Sequence, residues 1–383
     1  MEKIRVLQII AGSGGFGGMT AFFLNVYRRI DRDRFVFDFL KPDKTNLEPY
    51  RAEIEGYGGE ILELGVNASS NIGKIRLYFA LKRFLADRRY DIIHINSGKL
   101  MFNYTVETAC RRFSDAVIVV HSHNNGGRTE IKERLSGPLK AALTKGAAVL
   151  LACSDSAAEY MFPLARLSET TVIKNGIDAE KYAFNPEKRE RLRREMGLEG
   201  RYVIGHVGRF TEQKNHAFLI NLLAEIRKER EDVVLMLIGD GPLMDQVREQ
   251  AARKGVSGAV LFLGARDDAH DLYQAMDVFV LPSVYEGFGI VNLEAQASGL
   301  KCVVSDAVPE SVDVTGNMAR LSLNAPLDAW KQEVLSPAED RRDRVRAVNE
   351  AGFDIRQSAE TLARIYEKAL KEHPVSQKAG KRG

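Results

Sequence analysis

Cysteine is scarce in this chain: three residues in 383, namely Cys110, Cys153 and Cys302. None lies close to another in sequence, which excludes a disulfide framework and a thiolate zinc site and predicts reduced thiols. Long hydrophobic runs are lacking too. No stretch approaches the ~20 apolar residues that a membrane-spanning helix requires. The opening Ile4–Ile10 stretch is interrupted by Gln8 and stopped by glycines, so it reads as a first strand and not as a signal peptide. These absences predict a cytoplasmic protein. The net charge of +3 is too small to predict nucleic-acid binding.

What remains is ordinary soluble-protein composition, 45% hydrophobic and 28% charged. At this length one core rarely suffices, so two domains are expected. Short Val-, Ile- and Leu-rich runs separated by helix-length stretches mark parallel sheets covered on both faces. They fall at 4–10, 35–40, 91–96, 116–121 and 148–153, then again at 203–207, 233–238, 260–263, 278–281 and 302–304. The restart predicts an α/β chain of two Rossmann-like, doubly wound parallel-sheet domains. Expected limits are 1–170, 171–350, a helix over 351–373 that crosses back to the first domain, and a frayed tail over 374–383. Lys174-Asn175-Gly176-Ile177-Asp178 reads as the interdomain turn, with Gly176 at positive φ and Asp178 capping the next helix.

Charge is unevenly divided. Up to Lys174 there are 25 Lys and Arg against 19 Asp and Glu; beyond it there are 30 against 33. Much of the first-half excess is Lys74, Arg76, Lys82, Arg83, Arg88 and Arg89, interleaved with Ile75, Leu77, Phe79 and Leu81 at helical spacing. Two readings stand: a solvated basic face, or a helix resting on anionic lipid headgroups.

The most informative segment runs from Pro282 to Ala295, a strand end passing through a glycine turn into a helix. Glu286 and Glu294 bracket seven residues, and carboxylates accept hydrogen bonds from hydroxyls at either end of a nucleotide sugar. Between them Phe288, Gly289, Ile290 and Val291 offer backbone N–H groups at a helix start, which favours phosphate charge. A second segment, Val207 to Asn215, carries Arg209 and Lys214, which reach one diphosphate while Gly208 permits close backbone approach. Neutralising a departing phosphate this way requires no metal.

Gly17 and Gly18 end a glycine-rich loop after the first strand, suited to a phosphate or sugar, although it lacks the Lys-Ser/Thr ending of a P-loop. His121 and His123 end an apolar strand ahead of Asn124. Either they donate to a sugar hydroxyl or they are satisfied structural histidines; no third ligand is spaced for zinc. Asp31-Arg32-Asp33 reads as solvated surface.

Taken together, Glu286 to Glu294, Gly208-Arg209 with Lys214, Asn175-Gly176-Ile177-Asp178 and Gly17-Gly18 resemble the retaining GT-B glycosyltransferases of family GT4. Asn25 to Asp31, His121-Ser122-His123-Asn124 and Glu294-Ala295-Gln296-Ala297-Ser298-Gly299 look like its bacterial capsule and exopolysaccharide branch. The chain departs from that branch at Thr20, where a glutamate commonly follows the glycine pair, and at Lys301, where proline is usual.

The resemblance implies two domains facing across a cleft, with Arg209 and Lys214 on the donor diphosphate and Glu294 on the ribose. It places Glu286 and the loop after it on the transferred sugar, and His121 near the reacting carbon. The base would be taken near Gly264 to Arg266. It also implies a UDP-sugar donor, a glycan or lipid-linked glycan acceptor, retained anomeric configuration, and no metal or other cofactor. The site of action is then the cytoplasm, with peripheral contact at the inner membrane face. The competing expectations are a nucleotide-sugar 2-epimerase and a nucleotide-sugar binding protein without turnover.

Overall fold

The computed structural model describes residues 3–11, 18–44, 47–123, 130–336 and 341–374; Gly17 and Asn124 lie outside them. The chain divides into two units, Met1–Gly176 together with Ile355–Gly383, and Ile177–Asp354.

Among the described residues the first unit holds seven strands: β1 (Ile4–Ile10), β2 (Phe35–Lys41), β3 (Ile61–Glu63), β4 (Ile92–Ser97), β5 (Val117–Ser122), β6 (Val149–Ala152) and β7 (Thr170–Val172). All pairs are parallel, in the order β3-β2-β1-β4-β5-β6-β7. Alternation along each strand sorts side chains to two faces. Leu7, Ile9, Ile93, Ile95, Ile118 and Val120 enter one core, where Leu77, Leu81 and Val106 come from helices Asn71–Ala86 and Leu100–Phe113. Val6, Ile10, Phe37, Ile92 and Val119 enter the other, covered by Phe22, Phe23 and Val26 of helix Gly18–Arg29. That second face is completed by Leu362 and Tyr366 of the chain's final helix, Ile355–Glu372.

The second unit repeats the plan. Its strands are β8 (Tyr202–Val207), β9 (Val233–Ile238), β10 (Val260–Phe262), β11 (Val278–Leu281), β12 (Lys301–Ser305) and β13 (Met318–Leu321). They form a parallel sheet ordered β10-β9-β8-β11-β12-β13, with a core on either face. Both sheets are therefore doubly wound, as the recurring apolar runs predict. In each, strand order reverses once beside the unit's first strand, between β1 and β4 and between β8 and β11. Such switch points open a crevice beyond the strands' carboxyl ends, where ligands bind.

The connecting turn differs from expectation in detail. Gly176 is absent from the residues of positive φ. Its N–H instead donates to Lys174 O at 2.8 Å, which any residue's backbone allows. Asp178 precedes the turn Ala179–Tyr182 without capping it through its side chain.

Candidate functional site

The second sheet's switch point gathers the predicted cations and carboxylates. Beyond β8 the chain continues as Gly208-Arg209-Phe210, stitched by backbone bonds to the loop after β9. Gly208 N–H donates to Ile238 O at 2.9 Å, Phe210 N–H to Asp240 O at 2.9 Å, and Leu243 N–H to Phe210 O at 3.1 Å. A third loop joins through Gly239 N–H to Gly264 O at 2.8 Å. Glycine is required at Gly239: its φ is +138°, and a Cβ would lie 2.1 Å from Gly208 O.

Beneath this loop lie two neutral histidines. His206 Nδ1 sits 2.8 Å from Val280 O, a pure acceptor, so Nδ1 carries the proton. His216 stacks on Phe210 at 3.8 Å and meets His206 edge-on at 4.6 Å. Burial lowers the pKa of His206 to about 4 and that of His216 to about 2, so neither ring is charged near neutrality. Arg209 follows them, exposed, its guanidinium with no ion-pair or hydrogen-bond partner among the described residues.

Lys214 closes the short turn Glu212–Lys214, and Asn215 reverses the chain with φ 54° and ψ 47°, left-handed backbone that asparagine tolerates better than most residues. Lys214 Nζ donates to Glu286 Oε2 at 2.6 Å, and Ser283 Oγ donates to the same oxygen at 3.1 Å. The loop after β11 is held to this turn by Val284 N–H to Gln213 O at 2.8 Å and by Gln213 Nε2 to Tyr285 O at 3.0 Å. The loops of the two strands flanking the reversal are thus one structure.

The Glu286–Glu294 segment is helical only in its second part. Helix Ile290–Ala297 starts after Gly289, whose φ of +77° and 2.8 Å Cβ approach to Asn292 Nδ2 demand glycine. Glu286 therefore lies in the loop and Glu294 on the helix. Among the described residues no side chain caps this helix start, which leaves the N–H groups of Ile290 and Val291 open to an anion. Phe288 packs on Phe353 at 5.2 Å, anchoring the loop between the carboxylates. Glu294 Oε2 accepts from Tyr273 OH at 2.7 Å. Burial raises the Glu294 pKa, against the opposing pull of that bond and one from Tyr182.

The structure thus joins Lys214 and Glu286 directly, places Gly208 and Arg209 on the loop that leads to Lys214, and sets Gly289 before, and Ile290, Val291 and Glu294 on, the helix that follows Glu286. Arg266 is exposed and pairs bidentately with Asp268, at 2.7 and 2.6 Å. In the first unit, Gly18 is the exposed first residue of helix Gly18–Arg29, and His121 is the buried next-to-last residue of β5. The sequence reading missed Ser283, Tyr273 and the His206–His216 pair. For the histidines a signal existed, two imidazoles flanking the cationic loop; for Tyr273 and Ser283 there was none, because their partners are set by tertiary contacts.

Two doubly wound units in one chain, with cations and carboxylates at the second switch point, form the architecture of GT-B glycosyltransferases. Residues 201–339 match glycosyl transferases group 1, and residues 16–181 match Glycosyltransferase Family 4. EpsF of Bacillus subtilis, whose name gives it as a glycosyltransferase, is 32% identical over 382 residues, covering 94% of this chain and 96% of EpsF. The chain belongs to glycosyltransferase family 4.

A second relative, the UDP-Gal:alpha-D-GlcNAc-diphosphoundecaprenol alpha-1,3-galactosyltransferase of Escherichia coli, is 29% identical over 252 residues. That match covers 62% of this chain and 63% of the relative. Among solved structures, Anabaena HepE in complex with UDP and glucose shares the fold with a TM-score of 0.72 at 21% identity, over 95% of this chain and 100% of that one.

Proposed function

We propose that the protein transfers a hexose or N-acetylhexosamine from a UDP-sugar to a lipid-linked glycan in capsule or exopolysaccharide synthesis, with retention of configuration and without a metal. The observation that carries this is the joined loop pair at the β8/β11 reversal, where Lys214 meets Glu286 beside an unpartnered Arg209. Arg209, Lys214 and the N–H groups of Ile290 and Val291 receive the diphosphate. Glu294 takes the ribose hydroxyls, and Glu286 those of the sugar. As the bond from anomeric carbon to phosphate oxygen breaks, the electron pair moves onto phosphate and the two cations stabilise it. The acceptor hydroxyl adds from the face the nucleotide leaves and gives its proton to the departing phosphate oxygen. His121 donates to the sugar near the reacting carbon.

The Escherichia coli relative supports the donor and acceptor class, since its own name specifies UDP-Gal and a diphosphoundecaprenol-linked sugar. Screening UDP- and GDP-sugars by thermal shift and then by UDP release tests the reading. A UDP-sugar should stabilise the protein by mass action, and turnover should require an acceptor and persist in EDTA. Formation of an epimer with no acceptor present would establish the isomerase instead, and activity lost in EDTA and restored by Mg²⁺ would refute metal independence.

The acceptor's lipid also gives a use for the basic helix Asn71–Ala86. Its outer surface exposes Ile72 (65%), Ile75 (60%) and Phe79 (55%) beside Arg76, Lys82 and Arg83. Apolar side chains ringed by cations suit the interface of an anionic bilayer. No helix among the described residues is long and apolar enough to cross a membrane. The protein should float with phosphatidylglycerol vesicles and not with neutral ones, and Ile75→Asp with Phe79→Asp should abolish flotation. Equal recovery on both vesicle types would remove the membrane claim.

A further inference from the structure

The sheet face that carries His121 also carries three polar residues that the transfer chemistry above does not use. Gln8 on β1, His94 and Asn96 on β4, and His121 on β5 are all fully buried. Register aligns them, Gln8 opposite His94 and Asn96 opposite His121. They interrupt a surface otherwise built of Val6, Ile10, Ile92 and Val119. Burying four polar side chains in such a face costs free energy unless each is hydrogen-bonded.

Gln8 and His94 share a partner from a distant part of the chain. Tyr366, on helix Ile355–Glu372, sets its hydroxyl 3.0 Å from Gln8 Nε2 and 2.6 Å from His94 Nδ1. Gln8 Oε1 in turn accepts from Asn96 Nδ2 at 3.0 Å. One assignment gives the tyrosine hydrogen an acceptor, and it leaves His94 Nε2 as the nitrogen without a partner among the described residues. Gln8 has only N–H to offer at Nε2, so the tyrosine oxygen accepts there and its single hydrogen goes to His94 Nδ1. His94 is therefore an acceptor at Nδ1 and, being neutral because burial lowers its pKa well below the ordinary value, carries its proton on Nε2. Its ring lies parallel to His121, 5° between planes and 5.3 Å between centroids, and His121 rests on His123 at 4.0 Å. Phe23 meets all three imidazoles edge-on, at 5.1, 5.9 and 5.6 Å. Both ring nitrogens of His121 lack partners among the described residues, so stacking, and no hydrogen bond of its own, sets its orientation.

We infer that Tyr366 is a positioning residue for the transfer reaction: by locking the tautomer and plane of His94 it fixes the imidazole stack that aims His121. This rests on the proposed role of His121 at the sugar. Without the Tyr366 hydroxyl, His94 Nδ1 loses its donor, either tautomer becomes accessible, and the ring is free to turn.

The test is Tyr366→Phe in the full-length protein, read by UDP release and by ¹⁵N NMR of the histidine side chains. In the unsubstituted protein His94 should show a pyridine-type Nδ1 and a protonated Nε2. In Tyr366→Phe that pattern should become a mixture, with kcat down about tenfold, donor KM within about twofold, and the fold kept. His121→Ala should lose at least about a hundredfold. A protonated Nδ1 on His94 in the unsubstituted protein overturns the inference even if the variant fails to fold. So does full activity of Tyr366→Phe when His121→Ala is inactive. Full activity of His121→Ala instead removes the role assigned to His121 itself.

Discussion

Acidification from about pH 7.5 to pH 5 should unfold the first unit before the second, and with a steepness that ordinary surface groups do not give. Five of the seven histidines have a lowered pKa, the buried His94, His121, His206 and His216 and the partly buried His123, desolvation being the largest cause in each. His123 falls to about 3, His206 to about 4 and His216 to about 2. The folded-state values lie below the unfolded value of about 6.5. The unfolded chain therefore takes up protons below pH 6.5 that the folded chain refuses, and stability falls as pH falls.

Each such histidine costs about 1.4 kcal/mol per pH unit in that window. At pH 5 this amounts to roughly 2 kcal/mol for each of His123, His206 and His216, and His94 and His121 add to the loss in the first unit in the same direction. Domain stabilities are only ~5–15 kcal/mol. The groups packed against the rings do not offset this: Tyr366 is neutral, and Lys214 adds repulsion to a protonated His206 or His216. Urea midpoints by circular dichroism should drop between pH 7 and 5 with two separable transitions. A midpoint unchanged across that range would show the imidazoles to be solvated.

The second large effect separates the two halves of the donor site. Arg209→Ala should lower kcat about 10²–10³-fold while leaving nucleotide affinity and melting temperature nearly unchanged. Its guanidinium is exposed and unpartnered in the free protein, so the fold loses nothing, and its contribution grows as charge develops on phosphate. Glu294→Ala should instead weaken UDP binding by roughly 10–100-fold, the range for a lost hydrogen bond to a charged group. It also leaves the Tyr273 hydroxyl with only Val291 O, at 3.5 Å. Lys214→Ala differs from both. It leaves Glu286, with its side chain only 9% exposed, without its counter-charge, so stability should fall along with activity. Calorimetry beside UDP release decides; equal losses of affinity and rate in Arg209→Ala and Glu294→Ala would contradict this division.

The sheet plan was legible because a strand buried on both faces must be apolar throughout, and helix-length gaps enforce parallel crossovers. Strands 4–10, 233–238 and 278–281 coincide with their predicted limits. What escaped were β3, β7 and β13, three or four residues each at sheet edges, too short and too mixed in character for alternation to show. The carboxylate spacing pointed to one segment, but its geometry depends on where the helix begins, which Gly289 decides through a left-handed backbone. Nor could local pattern disclose Tyr366 against His94, 272 residues apart. A polar residue within an apolar strand marks Gln8 and His94 as unusual; only the fold shows what satisfies them.

The helix that completes the first sheet is made after every described strand of both units. Until Ile355–Glu372 has left the ribosome, the aromatic surface formed by Phe22, Phe23, Phe35 and Phe37 stays bare on one flank. The second unit, by contrast, is continuous from Ile177 to Asp354 and holds all its strands before that helix emerges. Maturation therefore runs against the order of synthesis: the portion translated first is the last to close, and it waits longest with apolar surface exposed.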